Sequence, residues 1–350
     1  MLWERRRDGP EGIVRATVKD VAARAGVSPK TVSNVINGKV FVKPETRERV
    51  ESALADLEYV PNLSARGLRN GRSGVIALAL PDLATAYSSE MAHFFVESAH
   101  ARGWAVQIEE TAFRPRREDE LMSQARANLI DGLILNPIIL ADSAVARSSA
   151  LPPVVLIGEV EQTVTDQVWL DPIAAASDMT EYLIGRGARR IAIVGAPAQL
   201  NTATARLRTV GYRAALSAAG IPLDERLEIS CASWTPRCGA ESVAAFLAQG
   251  YDLPDAFFCF TDSLAIGALS ALSAAGIRTP ADTMVAGFDD VAEGEFASPP
   301  LTTVGFDKRA YADAALDLLT ARIADRSHPP ALVTIPHRLV LRASTGEPRS

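Results

Sequence analysis

From Val75 onward, short apolar runs alternate with longer stretches in which apolar residues recur every three or four positions. The runs Val75–Leu80, Ala105–Glu109, Gly132–Leu135, Val154–Ile157, Ile191–Val194, Phe257–Phe260 and Met284–Gly287 predict strands. The stretches 88–102, 116–129, 173–186, 205–219, 238–249, 263–275 and 306–324 predict helices. This β-α-β alternation predicts parallel sheets with helices on both faces. The stretch is longer than one such sheet usually takes, so two sub-domains with a cleft between them are expected. Small molecules bind such folds at the carboxyl ends of the strands.

The pattern before Val75 is different. Thr17-Val18-Lys19-Asp20 has the form of a capping box, with Asp in place of the usual Glu. A short helix follows through Ala25, and Gly26 supplies a left-handed stop. Ser28-Pro29 then pairs a favoured N-cap with a favoured first helical residue, opening a second helix to about Ile36. Two short helices joined by Gly26-Val27-Ser28 make a helix-turn-helix. Val21, Ala25, Val27, Val32, Val35 and Ile36 form its inner face. Lys30, Thr31, Ser33 and Asn34 are left outside, and these are side-chain types that read base edges and phosphates in a major groove. A third helix, Pro44 to about Glu58, offers Val50, Leu54 and Leu57 to close a three-helix core. Residues 62–70 predict a helix too short, with Gly67 inside it, to stand without support.

Charge sharpens this division. Residues 1–75 hold 14 Lys/Arg and 9 Asp/Glu, while the remainder holds 22 and 33. A basic head on an acidic body suits nucleic acid, because Lys and Arg displace counterions from phosphates. The apolar share of 48% and charged share of 22% are those of a globular chain. No apolar run reaches the ~18 residues of a membrane span. Arg5-Arg6-Arg7 has no apolar run behind it, so no secretory signal is expected. Cys231, Cys238 and Cys259 form no C-x-x-C and fit a reducing cytoplasm. The four histidines lack metal-ligand spacing. No Ser-His-Asp order, phosphate-binding Gly-rich loop or H-E-x-x-H appears, so neither an enzyme nor a cofactor is expected.

Residues 16–74 resemble the DNA-binding head of the lactose repressor (LacI/GalR) family. The matching pieces are Thr17-Val18-Lys19-Asp20-Val21-Ala22, Ala25-Gly26-Val27-Ser28, Thr31-Val32-Ser33-Asn34-Val35-Ile36-Asn37, Thr46-Arg47-Glu48-Arg49-Val50, Tyr59-Val60-Pro61-Asn62, Ala65-Arg66 and Leu68. The resemblance implies that the second helix enters the major groove and that Pro29, Lys30 and Asn34 choose the bases. It also implies that Leu68, on a hinge helix, wedges into the minor groove. Thr17, Ser28, Thr31, Ser33, Asn62, Ala65 and Arg66 complete the DNA-contacting candidates. One departure is Lys43, where the family commonly has a Ser N-cap. The expected division is 1–15 as a disordered extension, 16–61 as the head, 62–73 as hinge and linker, and 74–345 as the effector-binding and dimerisation body.

The body resembles the same family and, through it, periplasmic sugar-binding proteins. The resemblance rests on Val75-Ile76-Ala77, Asp131-Gly132-Leu133-Ile134, Pro153-Val154-Val155-Leu156-Ile157, Arg206-Leu207-Arg208, Gly211-Tyr212, Thr261 to Ala268, Gly287-Phe288-Asp289-Asp290 and Pro300 to Val304. It implies a type I periplasmic-binding-protein-like α/β fold crossed three times by the chain, near 171, 300 and 330. The sub-domains would be 74–171 with 301–330, and 172–300 with 331–345. The resemblance puts Tyr87, Arg208, Trp234, Thr261 and Asp289 in an effector cleft, with Phe113 and Trp169 as further walls. Trp234 offers a flat apolar face, Asp289 accepts hydroxyl hydrogen bonds and Arg208 donates a fork of them. Three departures fall around the cleft: Thr261 for a usual Asn, Gly158-Glu159 for a frequent Asp-Arg, and Thr85-Ala86 for Asn-Pro.

The expectation is a cytoplasmic, homodimeric repressor of double-stranded, pseudo-palindromic DNA, switched by a small molecule. A carbohydrate comes first as effector and a nucleoside or purine second. The competing readings are a regulator corepressed by a partner protein, a transporter's solute-binding protein and an enzyme acting on the bound sugar.

Overall fold

The computed structural model describes residues 16–37, 41–59, 72–137, 139, 143–147, 151–197 and 202–346. The extension expected at 1–15 and the hinge candidates Asn62, Ala65, Arg66 and Leu68 lie outside these residues. The chain divides into two compact units, Met1–Arg69 and Asn70–Ser350.

The first unit is built on α1 (Val18–Ala25), α2 (Pro29–Asn37) and α3 (Pro44–Asp56). Thr17 caps α1: its backbone N–H and hydroxyl both donate to Asp20 Oδ2 at 2.7 Å, and Asp20 N–H donates back to Thr17 Oγ1. Gly26 ends the helix at φ 64°, a left-handed conformation that glycine adopts without strain. Val21, Ala22, Ala25, Val32, Val35, Val50 and Ala53 are buried together, so all three helices share one core. Arg24 on α1 pairs with Asp56 on α3 at 2.9 Å. Lys43 stands at the N-cap of α3 without a side-chain cap bond, as its chemistry requires. α3 stops short of Glu58, which turns left-handed at φ 44°.

The second unit holds two six-stranded sheets. The first contains β1 (Val75–Leu80), β2 (Ala105–Glu110), β3 (Gly132–Leu135), β4 (Val154–Ile157), β5 (Asp166–Trp169) and β11 (Leu332–Thr334), in the order β11-β5-β4-β3-β1-β2. All its pairings are parallel. The second contains β6 (Ile191–Ala196), β7 (Glu228–Ser230), β8 (Ala256–Cys259), β9 (Met284–Phe288), β10 (Thr302–Phe306) and β12 (His337–Val340), in the order β12-β10-β9-β8-β6-β7. Only β12 runs antiparallel to its neighbour. The central strands are apolar throughout because helices bury both their faces.

Those helices are α4 (Ala86–Ala101), α5 (Pro115–Arg126), the short α6 (Ala144–Arg147), α7 (Pro172–Gly185), α8 (Ala203–Ala218), α9 (Pro236–Leu247), α10 (Asp262–Ala274), the short α11 (Ala292–Glu295) and α12 (Lys308–Ala324). α9 and α10 touch through glycines: a Cβ on Gly267 would lie 2.0 Å from the Pro236 carbonyl, and one on Gly239 2.4 Å from that of Leu264.

The chain crosses between the sheets after β5, after β10 and between β11 and β12. The second and third crossings therefore fall near 307 and 335, not near 300 and 330. β10 pairs Thr302 with Ala286 of the second sheet, and β11 pairs Leu332 with Gln167 of the first. The threonines of β10 hid it from the apolar pattern. Both are fully buried, with Thr302 Oγ1 bonded to the Arg342 carbonyl at 2.9 Å and Thr303 Oγ1 to Asp262 at 2.6 Å.

Candidate functional site

The outer surface of α2 is polar and ordered by its own cap. Ser28 Oγ accepts from Thr31 N–H at 3.1 Å and shares a hydrogen bond with Thr31 Oγ1 at 2.9 Å. Pro29 and Lys30 are exposed, while Thr31, Ser33 and Asn34 are half-buried. Thr17 and Ser28 thus spend hydroxyl capacity on helix caps. Lys30 and Asn34 project from one short helix whose opposite side is fixed by Val32 and Val35.

In the second unit, one cleft collects residues from both sub-domains. Tyr87, Arg208, Trp234, Thr261 and Asp289 line it together, and Phe113 joins them. The topology explains why. Asp82 follows β1, Phe113 follows β2, Asn136 follows β3 and Glu159 follows β4; Trp234 follows β7, Thr261 follows β8 and Asp289 follows β9. Each sits just beyond the carboxyl end of a parallel strand, where the loops of such sheets converge. Trp169 is not among the lining residues; its Nε1 donates to Thr334 at 2.9 Å on the β5–β11 edge. Thr261 caps α10, accepting from Leu264 N–H at 3.2 Å. Trp234 is set by Gly195, where even a Cβ would come within 3.0 Å of its ring.

Arg208 differs from its sequence expectation. Its donor fork is turned to the protein. Nε lies 3.1 and 3.0 Å from the two carboxylate oxygens of Glu159, Nη2 also donates to Glu159, and Nη1 donates to the Phe260 carbonyl. The guanidinium lies 3.3 Å from the Phe288 ring centroid. Arg208 and Glu159 come from opposite sub-domains, and both are buried. Glu159 reaches across because Gly158 turns the chain at φ 87°, a position where a Cβ would sit 2.3 Å from Asn136 Oδ1. The turn is held by Gly158 N–H donating to Tyr311 Oη at 2.8 Å and by Gln167 Nε2 donating to the Gly158 carbonyl at 3.1 Å and the Val160 carbonyl at 2.6 Å. Sequence reading missed Glu159 as a partner, although Gly158-Glu159 stood out as a departure from the family pattern.

Asp289 is 5% exposed and sits at φ 114°, outside the range that side-chain-bearing residues favour. Its nearest cation is Arg208 Nη2, at 3.9 Å. No hydrogen bond reaches its carboxylate from the described residues. Burial pushes its carboxyl well above the usual range, against the opposing pull of Arg208. Behind it, Asp262 is buried with Oδ1 accepting from Thr303 Oγ1 and Oδ2 from Val291 N–H at 2.9 Å; burial raises it to about 7. Burial also pushes the Tyr87 phenol well above its ordinary value. The cleft therefore combines aromatic faces with closely spaced carboxyl groups. Away from it, Glu90 on α4 accepts from Ala292 N–H at 2.7 Å and pairs with Lys308, which also donates to the Asp290 carbonyl at 2.6 Å. No group of metal-binding residues occurs among the described residues, and no helix among them is long and apolar enough to cross a membrane.

Comparison with known proteins bears on both units. Residues 17–62 match the family model "Bacterial regulatory proteins, lacI family", and residues 180–345 match "Periplasmic binding protein-like domain". The chain is 31% identical over 336 residues to the HTH-type transcriptional repressor PurR of Klebsiella pneumoniae (strain 342), covering 95% of this chain and 97% of that protein. Among solved structures, the lac repressor dimer bound to operator and the anti-inducer ONPF is similar with a TM-score of 0.79 at 27% identity, covering 95% of this chain and 99% of that one. A putative transcriptional regulator of the LacI family from Sanguibacter keddieii DSM 10542 is 38% identical, with a TM-score of 0.72 over 79% of this chain and all of that one. The transcriptional regulator CelR–cellobiose complex gives 0.68 at 29% identity, over 94% of this chain and 100% of that one. These relatives are regulators rather than enzymes. The chain belongs to the LacI family and is a DNA-binding transcriptional repressor.

Proposed function

We propose that this repressor acts in the cytoplasm as a homodimer on a pseudo-palindromic operator, and that a carbohydrate bound in the cleft of the second unit sets its operator affinity. One observation carries the effector reading. Tyr87, Arg208, Trp234, Thr261 and Asp289, chosen from sequence on separate segments, line a single cleft between two sub-domains. A sugar suits such a site, since ring faces stack on Trp234 and Phe113 while hydroxyls donate to Asp289. Closure on the sugar changes the angle between the sub-domains, and operator affinity follows by linkage.

At the operator, Pro29, Lys30 and Asn34 read bases in the major groove. Thr17, Ser28, Thr31 and Ser33 hold the helix in register on the phosphates. Asn62, Ala65, Arg66 and Leu68 form the hinge, with Leu68 as the minor-groove wedge. The test is to sequence genomic fragments retained by the effector-free protein at moderate salt, then titrate sugars, nucleosides and purines against the recovered site. One pseudo-palindrome released or tightened by a sugar is the expected result. A site that responds only to a nucleoside or purine would overturn the carbohydrate assignment. Lys30→Ala and Asn34→Ala should relax base preference, each at a cost of about 1–3 kcal/mol. Leu68→Ala with unchanged operator affinity would exclude the wedge role.

A further inference from the structure

The charge inventory of the cleft says more about its ligand than the fold does. Among the described lining residues, Asp82, Glu159 and Asp289 are carboxylates and Arg208 is the one cation. Arg208 is already satisfied: Glu159 takes Nε and Nη2, the Phe260 carbonyl takes Nη1, and Phe288 covers the guanidinium face. The Arg208–Glu159 pair is neutral as a unit. Asp289 is left over, 5% exposed, facing the cleft with no hydrogen-bond donor from the described residues. A buried carboxylate whose nearest cation, Arg208 at 3.9 Å, is already paired with Glu159 is only partly compensated, and it discharges further either by taking a proton or by gaining a second cation.

We infer that the effector carries an ammonium group, as an amino sugar does, held between the carboxylates of Asp289 and Glu159. The inference rests on the cleft being the effector site. Both carboxylates approach the same Nη2 atom of Arg208, so they are close enough to share a second cation. A neutral hydroxyl would satisfy Asp289 as a hydrogen-bond donor and leave its charge standing. An ammonium supplies donors and charge together. Trp234, Tyr87 and Phe113 give the cation aromatic faces, which favour it further once water is excluded. Asp82 adds attraction of the same sign. An anionic ligand, such as a sugar phosphate, would meet three carboxylates and no uncommitted guanidinium. The Gly158-Glu159 departure is what creates this balance, because Glu159 consumes the positive charge of Arg208.

The experiment compares matched ligands on the full-length protein by isothermal titration calorimetry at neutral pH. Glucosamine, galactosamine and mannosamine are each set against the parent hexose and the N-acetyl derivative. The expected result is that one amine binds at least ten-fold more tightly than both its hydroxyl and its acetylated counterparts. Asp289→Asn should bring that ratio close to one. The wild-type comparison alone decides the matter should the variant fold poorly. A parent hexose or acetylated sugar that binds as tightly as its amine overturns the inference and leaves the carbohydrate effector standing. Binding by none of the nine overturns the inference as well, while the carbohydrate effector is judged by the operator titration.

Discussion

Removing the Arg208 charge should destabilise the second unit more than removing the Glu159 charge, although the two face each other. The pair is buried, with contacts of 3.0 and 3.1 Å. At an effective dielectric near 20, such a separation corresponds to an attraction of roughly 5 kcal/mol, most of it offset by desolvation. Breaking a buried pair on one side typically costs about 3–5 kcal/mol, because the survivor stays unpaired. Glu159→Gln keeps an acceptor for Arg208, and Asp289 stands 3.9 Å from Nη2 to take over the charge. Its cost should therefore be about 1–2 kcal/mol, that of weakening a charge-assisted hydrogen bond. Arg208→Met has no such rescue. It leaves Glu159 and Asp289 buried side by side, so one must take a proton, and the cost should reach about 3–5 kcal/mol. In the double variant Asp289 alone remains charged, so the two losses should fall short of adding by about 1–2 kcal/mol. Reversible urea unfolding followed by tryptophan fluorescence reads all four proteins, with Trp234 reporting from the cleft itself. The reasoning fails if Arg208→Met is as stable as the parent, if Glu159→Gln costs more than Arg208→Met, or if the two losses simply add.

Three further outcomes can be checked on the same protein. The Asp262 carboxyl is raised by burial to about 7, so the folded state holds its proton where the unfolded state releases it. Stability from this group is therefore present below about pH 4 and lost as pH rises toward 7, by at most about 1.4 kcal/mol per pH unit. Asp262→Asn should flatten that slope in thermal melts between pH 4.5 and 7.5, and an unchanged slope would assign it elsewhere. Gly267→Ala gains about 1 kcal/mol of helix propensity, but its Cβ would lie 2.0 Å from the Pro236 carbonyl. Overpacking of ~1–3 kcal/mol should outweigh the gain, lower the melting temperature and weaken ligand binding through nearby Trp234; a more stable variant would show that α9 moves freely. Thr17→Ala removes the cap of α1 and should cost the first unit about 1 kcal/mol, seen as faster amide exchange at 18–25 without change in the second unit.

What was legible in the sequence follows from where each signal resides. β1, β3 and β4 begin and end at their expected residues because strands buried on both faces write themselves as unbroken apolar runs. β7, with Glu228-Ile229-Ser230, and β11, with Leu332-Val333-Thr334, are three-residue edge strands held by backbone pairing to one neighbour. Such strands leave no periodicity to find. β5 carries Asp166 and Gln167 into the buried sheet, where Arg322 pairs with the one at 2.8 Å and the other bonds loop carbonyls. Arg322 lies 156 residues from Asp166, and Gln167 bonds to carbonyls of an irregular loop, so no local pattern marked the strand. The head was read nearly whole because caps and stops are local: Thr17, Gly26 and Ser28 act within four residues of themselves. The cleft residues were found by resemblance, one by one. Their mutual arrangement was not, since the partner that occupies Arg208 is 49 residues away on the other sub-domain.

Beside an apolar cluster that includes residues of both sub-domains, charged contacts join them, and these bear on how far a ligand can shift the pair. Arg208–Glu159 spans the cleft, while Glu90 reaches both Ala292 N–H and Lys308 at the second crossing. An apolar seam would lose all its burial energy on opening, at about 25 cal/mol per Å² of surface. Charged groups instead regain hydration when they separate, so the open and closed forms lie closer in free energy than the strength of the contacts suggests. A difference of a few kcal/mol is within what one small ligand can supply by binding one form more tightly than the other. The ligand need not break the seam. By giving Asp289 a partner nearer than Arg208 at 3.9 Å, a ligand would add to the closed form an interaction that a carboxylate in water does not need. Replacing both Glu90 and Lys308 by apolar residues of similar size should thus leave the fold intact, favour closure without ligand and reduce the ligand's effect on operator affinity. Small-angle scattering with and without ligand measures the first effect and operator titration the second; a ligand response as large as in the parent would mean that closure is governed elsewhere.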